Sequence, residues 1–229
     1  MTWPWPLSGD EQEAVYLSLR VAARAVGFGL PLAMIVALLL ARGRFPGRFL
    51  LNALVHLPLM LPPVVTGWRL LLVVGVEGPV GAWLAARFGV HLAFTESGAA
   101  LACGVMIFPL MVRAIRLSVE AVDPRLEQAA RTLGAHWVDR FLTITLPLAG
   151  PGVLAAVVMG YTASLGEFGA VITFAANIPG QTQTLPLAIF SALETQGGEA
   201  VAGRLALVSV FLAVGGLVLA EFLSPRRLK

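Results

Sequence analysis

The residues that could do chemistry are few in this 229-residue chain, and they form no catalytic or metal-binding pattern. The three histidines, His56, His91 and His136, lack the spacing of metal ligands, so we expect structural or surface roles for them. The single cysteine, Cys103, excludes a metal site built from cysteines. The sequence has no Gly-rich phosphate loop ending in Lys-Ser or Lys-Thr and no His-Glu-x-x-His motif. We therefore predict no catalytic residue, no bound metal and no ATP hydrolysis by this chain alone.

The composition explains this scarcity of reactive side chains. Hydrophobic residues make up 58% of the chain and charged residues 13%, and the mean hydropathy is +0.84. An ordinary soluble domain carries about twice that share of charge. The formal net charge of +3 is also too small for a surface that follows nucleic-acid phosphates. The composition predicts an all-α integral membrane protein whose partner is the lipid bilayer and not a nucleic acid.

Five segments are long and apolar enough to cross a bilayer, which takes about 20 mostly apolar residues. They cover about 15–41, 49–74, 98–119, 147–175 and 205–222. Pro58, Pro62 and Pro63 lie in the second segment, either as hinges or as kinks buried against neighbouring helices. We predict one transmembrane domain over residues 1–229, with about five membrane-spanning helices.

Basic residues are concentrated on one side of these segments. Short loops that carry them stay in the cytoplasm, which places the N-terminus outside and the C-terminus inside, with Trp3 and Trp5 as outer interfacial anchors. The basic residues on the cytoplasmic side are Arg42, Arg44, Arg48, Arg113, Arg116, Arg125, Arg131, Arg140, Arg226, Arg227 and Lys229.

Arg20 and Arg24 do not fit this simple pattern. They are four residues apart and share one helix face. Either the first helix begins amphipathic and partly outside the hydrocarbon, or this pair attracts an anion at an outer vestibule.

Two connections are long enough to have structure of their own. The outer connection, 176–203, is predicted to hold a turn, a short outer or re-entrant helix and a loop, suited to a gate or to docking of an external partner. On the cytoplasmic side, a short amphipathic helix is predicted within 123–134. Asp123 is its N-cap, Pro124 lies in its first turn, and Gly134 supplies a left-handed stop. Such a helix either lies on the membrane or docks on a partner.

The segment 123–147 resembles a known family. The pattern is Ala129 and Ala130, three intervening residues, Gly134, nine intervening residues, and then the run 144–147, Ile-Thr-Leu-Pro. It is similar to the EAA loop of permease subunits of binding-protein-dependent ABC importers. One departure is visible: Gln128 stands where the family has an acidic residue, and Glu127 precedes it.

Three further segments narrow the resemblance to oxyanion permeases. The run 57–67, Leu-Pro-Leu-Met-Leu-Pro-Pro-Val-Val-Thr-Gly, resembles the second span of molybdate permeases. The run 164–170, Ser-Leu-Gly-Glu-Phe-Gly-Ala, is similar to a segment shared by molybdate, tungstate and sulfate permeases. The runs 172–174 and 177–184 are more similar to the molybdate members, of the ModB type.

The resemblance implies a type I ABC importer permease in the bacterial inner membrane. Two copies of the chain would form the pore, two cytoplasmic ATPase subunits would bind ATP and magnesium, and an external or periplasmic binding protein would deliver the oxyanion. The helix within 123–134 would be the coupling helix that seats in the ATPase. The residues that this assigns to coupling are Glu127, Gln128, Ala129, Ala130, Leu133 and Gly134.

An anion path is best lined by hydroxyl and amide groups, and we expect Thr66, Ser164, Thr173 and Asn177 there. Arg69 is either an interfacial charge or a charge that attracts the anion. Glu167 lies between two uncharged stretches, 141–166 and 168–193. A carboxylate in such a position has either a structural role, bonded to nearby backbone or hydroxyls, or a role in a gate. Direct contact with an oxyanion is disfavoured because like charges repel.

Three other functions compete with molybdate import. A tungstate or sulfate permease of the same family is the nearest, because pore residues need not distinguish these anions. A membrane-embedded enzyme is disfavoured because no nucleophile with a base and no paired carboxylates occur within a span. A secondary transporter is disfavoured because five spans offer no pair of internal repeats.

Overall fold

A computed structural model describes residues 7–223, and this part of the chain contains α-helices and no β-strand. Trp3, Trp5, Arg226, Arg227 and Lys229 lie outside the described residues. The helices are α1 (Gly9–Arg42), α2 (Arg48–Met60), α3 (Pro63–Val74), α4 (Pro79–Phe88), α5 (Glu96–Glu120), α6 (Pro124–Thr132), α7 (Trp137–Arg140), α8 (Leu146–Leu165), α9 (Gly169–Ala175), α10 (Leu185–Glu194) and α11 (Glu199–Leu223). A π-helical turn, Phe141–Thr145, joins α7 to α8.

Four helical stretches of the described chain are long and apolar enough to cross a membrane: α1, α5, Trp137–Leu165 and α11. The pair α2 and α3 makes a fifth span when it is counted as one. This confirms the prediction of an all-α membrane protein with about five spans.

The centre of the fold is α5, which packs against α1 and α8. Small side chains make these contacts close: Ala99 and Ala102 on α5 and Ala156 on α8 are fully buried. Lipid tails are as apolar as the helix side chains, so the hydrophobic effect does not drive spanning helices together. Close approach of their backbones is instead a main source of helix association. A second cluster joins the start of α1 to α10 and α11 through Ala14, Leu185 and Leu205.

The sequence analysis treated the second and fourth predicted spans as single segments. In the structure each of them is divided into two helices. Helices α2 and α3 are bent by 116°. Leu61 and Pro62 are extended there, because a proline disfavours helical backbone at the residue before it. Pro58, by contrast, lies inside α2. The segment 147–175 is divided between α8 and α9, with residues 166–168 as the break.

The two shorter halves, α3 and α9, pack against each other. A Cβ atom built on Gly67 would lie 2.6 Å from the Ala170 carbonyl oxygen and 2.9 Å from Thr173 Cβ. One built on Gly169 would lie 2.8 Å from Pro63 Cβ. The absence of both side chains therefore permits this contact.

The outer connection contains the short helix α10, which the sequence analysis placed within 176–203, although α11 already begins at Glu199. The sequence analysis missed α4. Its signals are Pro79 at the first helical position and Gly89, with φ of 65°, at its end.

Candidate functional site

Helix α6 is a short, polar helix on the surface of the chain. The Asp123 carboxylate accepts a hydrogen bond of 2.9 Å from the Arg125 backbone N–H, and Pro124 occupies the first helical position. Gly134 has φ of +86°, in the left-handed region that glycine adopts without strain. None of the residues of α6, all of which the structure describes, is buried. The helix that the sequence predicts within 123–134 thus spans Pro124–Thr132.

The six residues assigned to coupling divide into two groups. Gln128, Ala129, Leu133 and Gly134 are exposed, whereas Glu127 and Ala130 are half-buried. The Leu133 side chain is 88% exposed. Four further apolar side chains of α6 and the segment after it are exposed, and together with Leu133 we call them the α6 apolar group: Leu126, Trp137, Val138 and Leu142. The sequence analysis missed Trp137, although a tryptophan within a polar loop was the available signal.

Glu127 makes contacts inside the chain. Its Oε1 atom accepts a hydrogen bond of 2.8 Å from Thr145 Oγ1 in the π-helical turn. The same atom lies 3.3 Å from Arg42 Nη2, at the end of α1. Arg42 Nη2 also lies 3.2 Å from the Val119 carbonyl oxygen and 3.0 Å from that of Val122, where α5 ends. The sequence analysis named Arg42 only as one of the basic residues on the cytoplasmic side, and Thr145 only as part of the run 144–147.

Glu167 lies in the break between α8 and α9. Its Oε1 atom accepts a hydrogen bond of 3.0 Å from the Ala170 backbone N–H, in the first turn of α9. A carboxylate at a helix N-terminus satisfies a backbone donor and complements the helix dipole. These are the contacts that the structural interpretation of Glu167 expects, and its role as a gate stays a prediction.

The other predicted path residues have different surroundings. Thr66 and Ser164 are buried, and their hydroxyl oxygens have no hydrogen-bond partner within residues 7–223. The Thr173 hydroxyl donates a hydrogen bond of 2.8 Å to the Gly169 carbonyl oxygen of its own helix. The Asn177 side-chain amide donates a hydrogen bond of 2.7 Å to Ser191 Oγ. This bond connects the segment after α9 to α10. Thr66 and Thr173 lie on the packed pair α3 and α9, whereas Arg69 is exposed.

The pair Arg20 and Arg24 shares one carboxylate. Arg20 Nη2 lies 3.1 Å from Glu96 Oε2, and Arg24 Nη1 lies 3.2 Å from Glu96 Oε1. The two arginines therefore connect α1 to the start of α5.

The ion pair between Glu11 and Arg204, which the sequence analysis also missed, joins α1 to α11. Glu11 is only 3% exposed, and its Oε1 atom lies 2.9 Å from Arg204 Nε, with Nη2 donating to the same oxygen. The two residues are far apart in sequence, so charge alone did not indicate their pairing.

Replacing Arg204 with methionine is expected to destabilise the folded chain by about 3 kcal/mol, because the Glu11 carboxylate would stay buried without its cation. The unfolding midpoint of the purified chain in detergent measures this effect. The matched control is Arg69→Met, which changes an exposed arginine. Glu11→Gln combined with Arg204→Met should recover part of the loss. Equal midpoints for Arg204→Met and Arg69→Met would contradict the prediction.

Among the described residues, no group of three or more His, Cys, Asp or Glu side chains could hold a metal ion. The arrangement offers instead the exposed helix α6, which Glu127 anchors, and two broken spans whose halves α3 and α9 pack against each other. The comparisons with known proteins identify the class of protein to which this arrangement belongs.

The chain belongs to the family described as binding-protein-dependent transport system inner membrane component, whose model matches residues 29–229. It is similar to the molybdenum transport system permease protein ModB of Escherichia coli (strain K12), with 51% identity over 218 residues, or 95% of each chain. The sulfate transport system permease protein CysT of the same strain is 40% identical over 186 residues, which cover 81% of this chain and 66% of that relative.

The fold is that of type I ABC importer permeases. A crystal structure of a bacterial alginate ABC transporter, in complex with an alginate pentasaccharide-bound periplasmic protein, aligns with a TM-score of 0.77 at 16% identity. The alignment covers 96% of this chain and 80% of that one. The protein is thus a multi-pass permease of the bacterial inner membrane.

Proposed function

We propose that this chain is the pore-forming subunit of an ATP-driven molybdate importer. The single observation that carries the proposal is the similarity to ModB, with 51% identity over 95% of both chains. Two copies would form the pore, two cytoplasmic ATPase subunits would bind ATP and magnesium, and a periplasmic binding protein would deliver molybdate.

The exposed helix α6 supports an ATPase partner. A helix with no buried residue gains little from its own chain, and the side chains of the α6 apolar group are left exposed. Seating the α6 apolar group in a cleft of an ATPase subunit would bury it. ATP-driven closure of the ATPase pair would then bring the two copies of α6 together and switch the pore between inward-open and outward-open states.

The buried hydroxyls of Thr66 and Ser164 support a path for an anion that accepts hydrogen bonds. Both lack a partner among the described residues, and a buried hydroxyl without a partner costs free energy. A passing oxyanion would supply acceptors for both. This need is the same for molybdate, tungstate and sulfate, so specificity would be decided largely by the binding protein.

Sulfate is the second candidate, because the relative CysT is similar over 81% of this chain. The test is uptake by proteoliposomes that contain this chain, its ATPase and its binding protein. We expect ATP-dependent uptake of labelled molybdate that a tenfold excess of sulfate leaves unchanged, and no ATP hydrolysis by this chain when purified alone. Uptake of sulfate in place of molybdate would favour the second candidate, and hydrolysis by the isolated chain would contradict the division of labour.

A further inference from the structure

We infer that Arg42, Glu127 and Thr145 form a transmission cluster, which carries the movement of α6 into the membrane helices. The inference rests on the proposed function, because it assumes that an ATPase moves α6. It assigns positioning roles to Arg42 and Thr145 and explains why Glu127 faces its own chain while its neighbour Gln128 is exposed.

Helix α6 has little other connection to the spanning helices. None of its residues is buried, and its main packing partners are α7 and the π-helical turn. A helix held so loosely could shift on the surface without moving the pore. A force on α6 therefore needs specific contacts that hold α6 to the spanning helices.

The Glu127 carboxylate makes these contacts through one oxygen. Oε1 accepts a hydrogen bond from Thr145, which is 4% exposed, and pairs with Arg42. Hydrogen bonds to a charged group are stronger than those between neutral groups, and they strengthen further away from water. The Arg42 and Glu127 side chains are 30% and 26% exposed, so water screens this pair only in part.

Arg42 extends the cluster to two further helices. It is the last residue of α1, and its guanidinium also reaches the carbonyl oxygens of Val119 and Val122, where α5 ends. A cation there complements the negative end of the α5 dipole. One arginine thus connects α6 to α1 and α5, the two helices at the centre of the fold.

Thr145 extends the cluster to α8. It is the last residue of the π-helical turn, directly before Leu146, where α8 begins. Turns of this kind are rare, occur often at functional sites and interrupt the regular helix, so they are points at which a helix can change direction. Movement of Glu127 would therefore act on the turn that directly precedes α8.

The test uses the complete complex in proteoliposomes and measures molybdate imported per ATP hydrolysed. Thr145→Val removes the hydroxyl that donates a hydrogen bond to Glu127. Because a hydrogen bond to a charged group is lost, we expect about tenfold less transport per ATP. The matched control is Thr143→Val in the same turn. The Thr143 hydroxyl donates to the Asp139 carbonyl, a local contact that does not involve α6.

A second pair of variants keeps the test independent of how well Thr145→Val folds. Glu127→Gln should also lower transport per ATP about tenfold. Glu120→Gln is its control, since Glu120 pairs with Arg116 at 2.8 Å and lies at the end of α5. If either cluster variant imports as much molybdate per ATP as its control, the inference is wrong while the proposed function stands. If the unaltered complex fails to import molybdate, the proposed function itself has failed.

Discussion

Replacing Leu133 with glutamate is expected to abolish ATP-dependent transport while leaving the chain inserted and folded in the membrane. The Leu133 side chain is 88% exposed, so the chain itself does not need it to be apolar. Burial of a leucine side chain on a partner contributes roughly 2 kcal/mol, and a buried, unpaired carboxylate in its place costs several more. Docking of the ATPase would therefore weaken by at least about a thousandfold.

The measurements are co-purification of the ATPase subunits with this chain and ATP-dependent uptake in proteoliposomes. Leu133→Met is the matched control, because it keeps an apolar side chain of similar volume and should retain most transport. The unfolding midpoint in detergent should be the same for both variants. Normal uptake by Leu133→Glu would contradict the assignment of α6 as the coupling helix.

Gly134 gives an independent check of the same assignment. With φ of +86° it has a conformation that a β-branched residue adopts only with strain, so Gly134→Val should distort the end of α6. Asparagine tolerates this conformation better, which makes Gly134→Asn the matched control. We expect uncoupling of ATP hydrolysis from transport by the valine variant and near-normal coupling by the asparagine variant.

The cytoplasmic helix could be located from sequence because its ends depend on neighbouring residues. Asp123, Pro124 and Gly134 act within one or two turns of chain, and their cap, first-turn and left-handed preferences hold in almost any surroundings. The resemblance of 123–147 to the EAA loop added a role for the helix. It could not indicate that Glu127 faces inward, because that depends on Arg42 and Thr145, which are distant in sequence.

The breaks in the second and fourth spans could not be placed from hydropathy. Apolar residues continue through Leu61 in the second predicted span and include Phe168 in the fourth. A hydropathy window of about 20 residues therefore predicts one span for each stretch. The prolines predicted a kink or hinge but not which of them would end a helix. Glu167 was visible as an isolated carboxylate, yet its bond to the Ala170 N–H needs the helix break that hydropathy missed.

Ion pairs between distant residues were the least predictable contacts. The sequence supplies both signs of charge near the ends of the spans, but their pairing depends on which helices are neighbours. Arg20 and Arg24 were recognised as sharing a helix face, and their common partner Glu96 followed only from the packing of α1 on α5. The Glu11–Arg204 pair depends in the same way on the contact between the starts of α1 and α11.

Replacing Gly67 with alanine is expected to reduce transport at least about tenfold and to lower the stability of the chain by roughly 1–3 kcal/mol, the usual cost of overpacking. The added Cβ would lie 2.6 Å from the Ala170 carbonyl oxygen, and a backbone atom cannot move aside as a flexible side chain can. Helices α3 and α9 would have to separate. Helix α3 carries Thr66, whose hydroxyl the proposed function places on the path of the anion, so a shift of α3 away from α9 would alter that path.

Gly150→Ala in α8 is the matched control, because a Cβ built on this glycine meets no atom of another described element within 4 Å. Alanine also favours a helix over glycine by about 1 kcal/mol, so the control should be neutral or slightly stabilising. Uptake per copy of the complex and the unfolding midpoint in detergent are measured for both variants. Loss of both quantities in Gly67→Ala, with neither lost in Gly150→Ala, would tie transport to the close contact of α3 and α9. Unchanged uptake by Gly67→Ala would instead mean that α3 and α9 separate without consequence for the path, and the anion would then have to pass elsewhere.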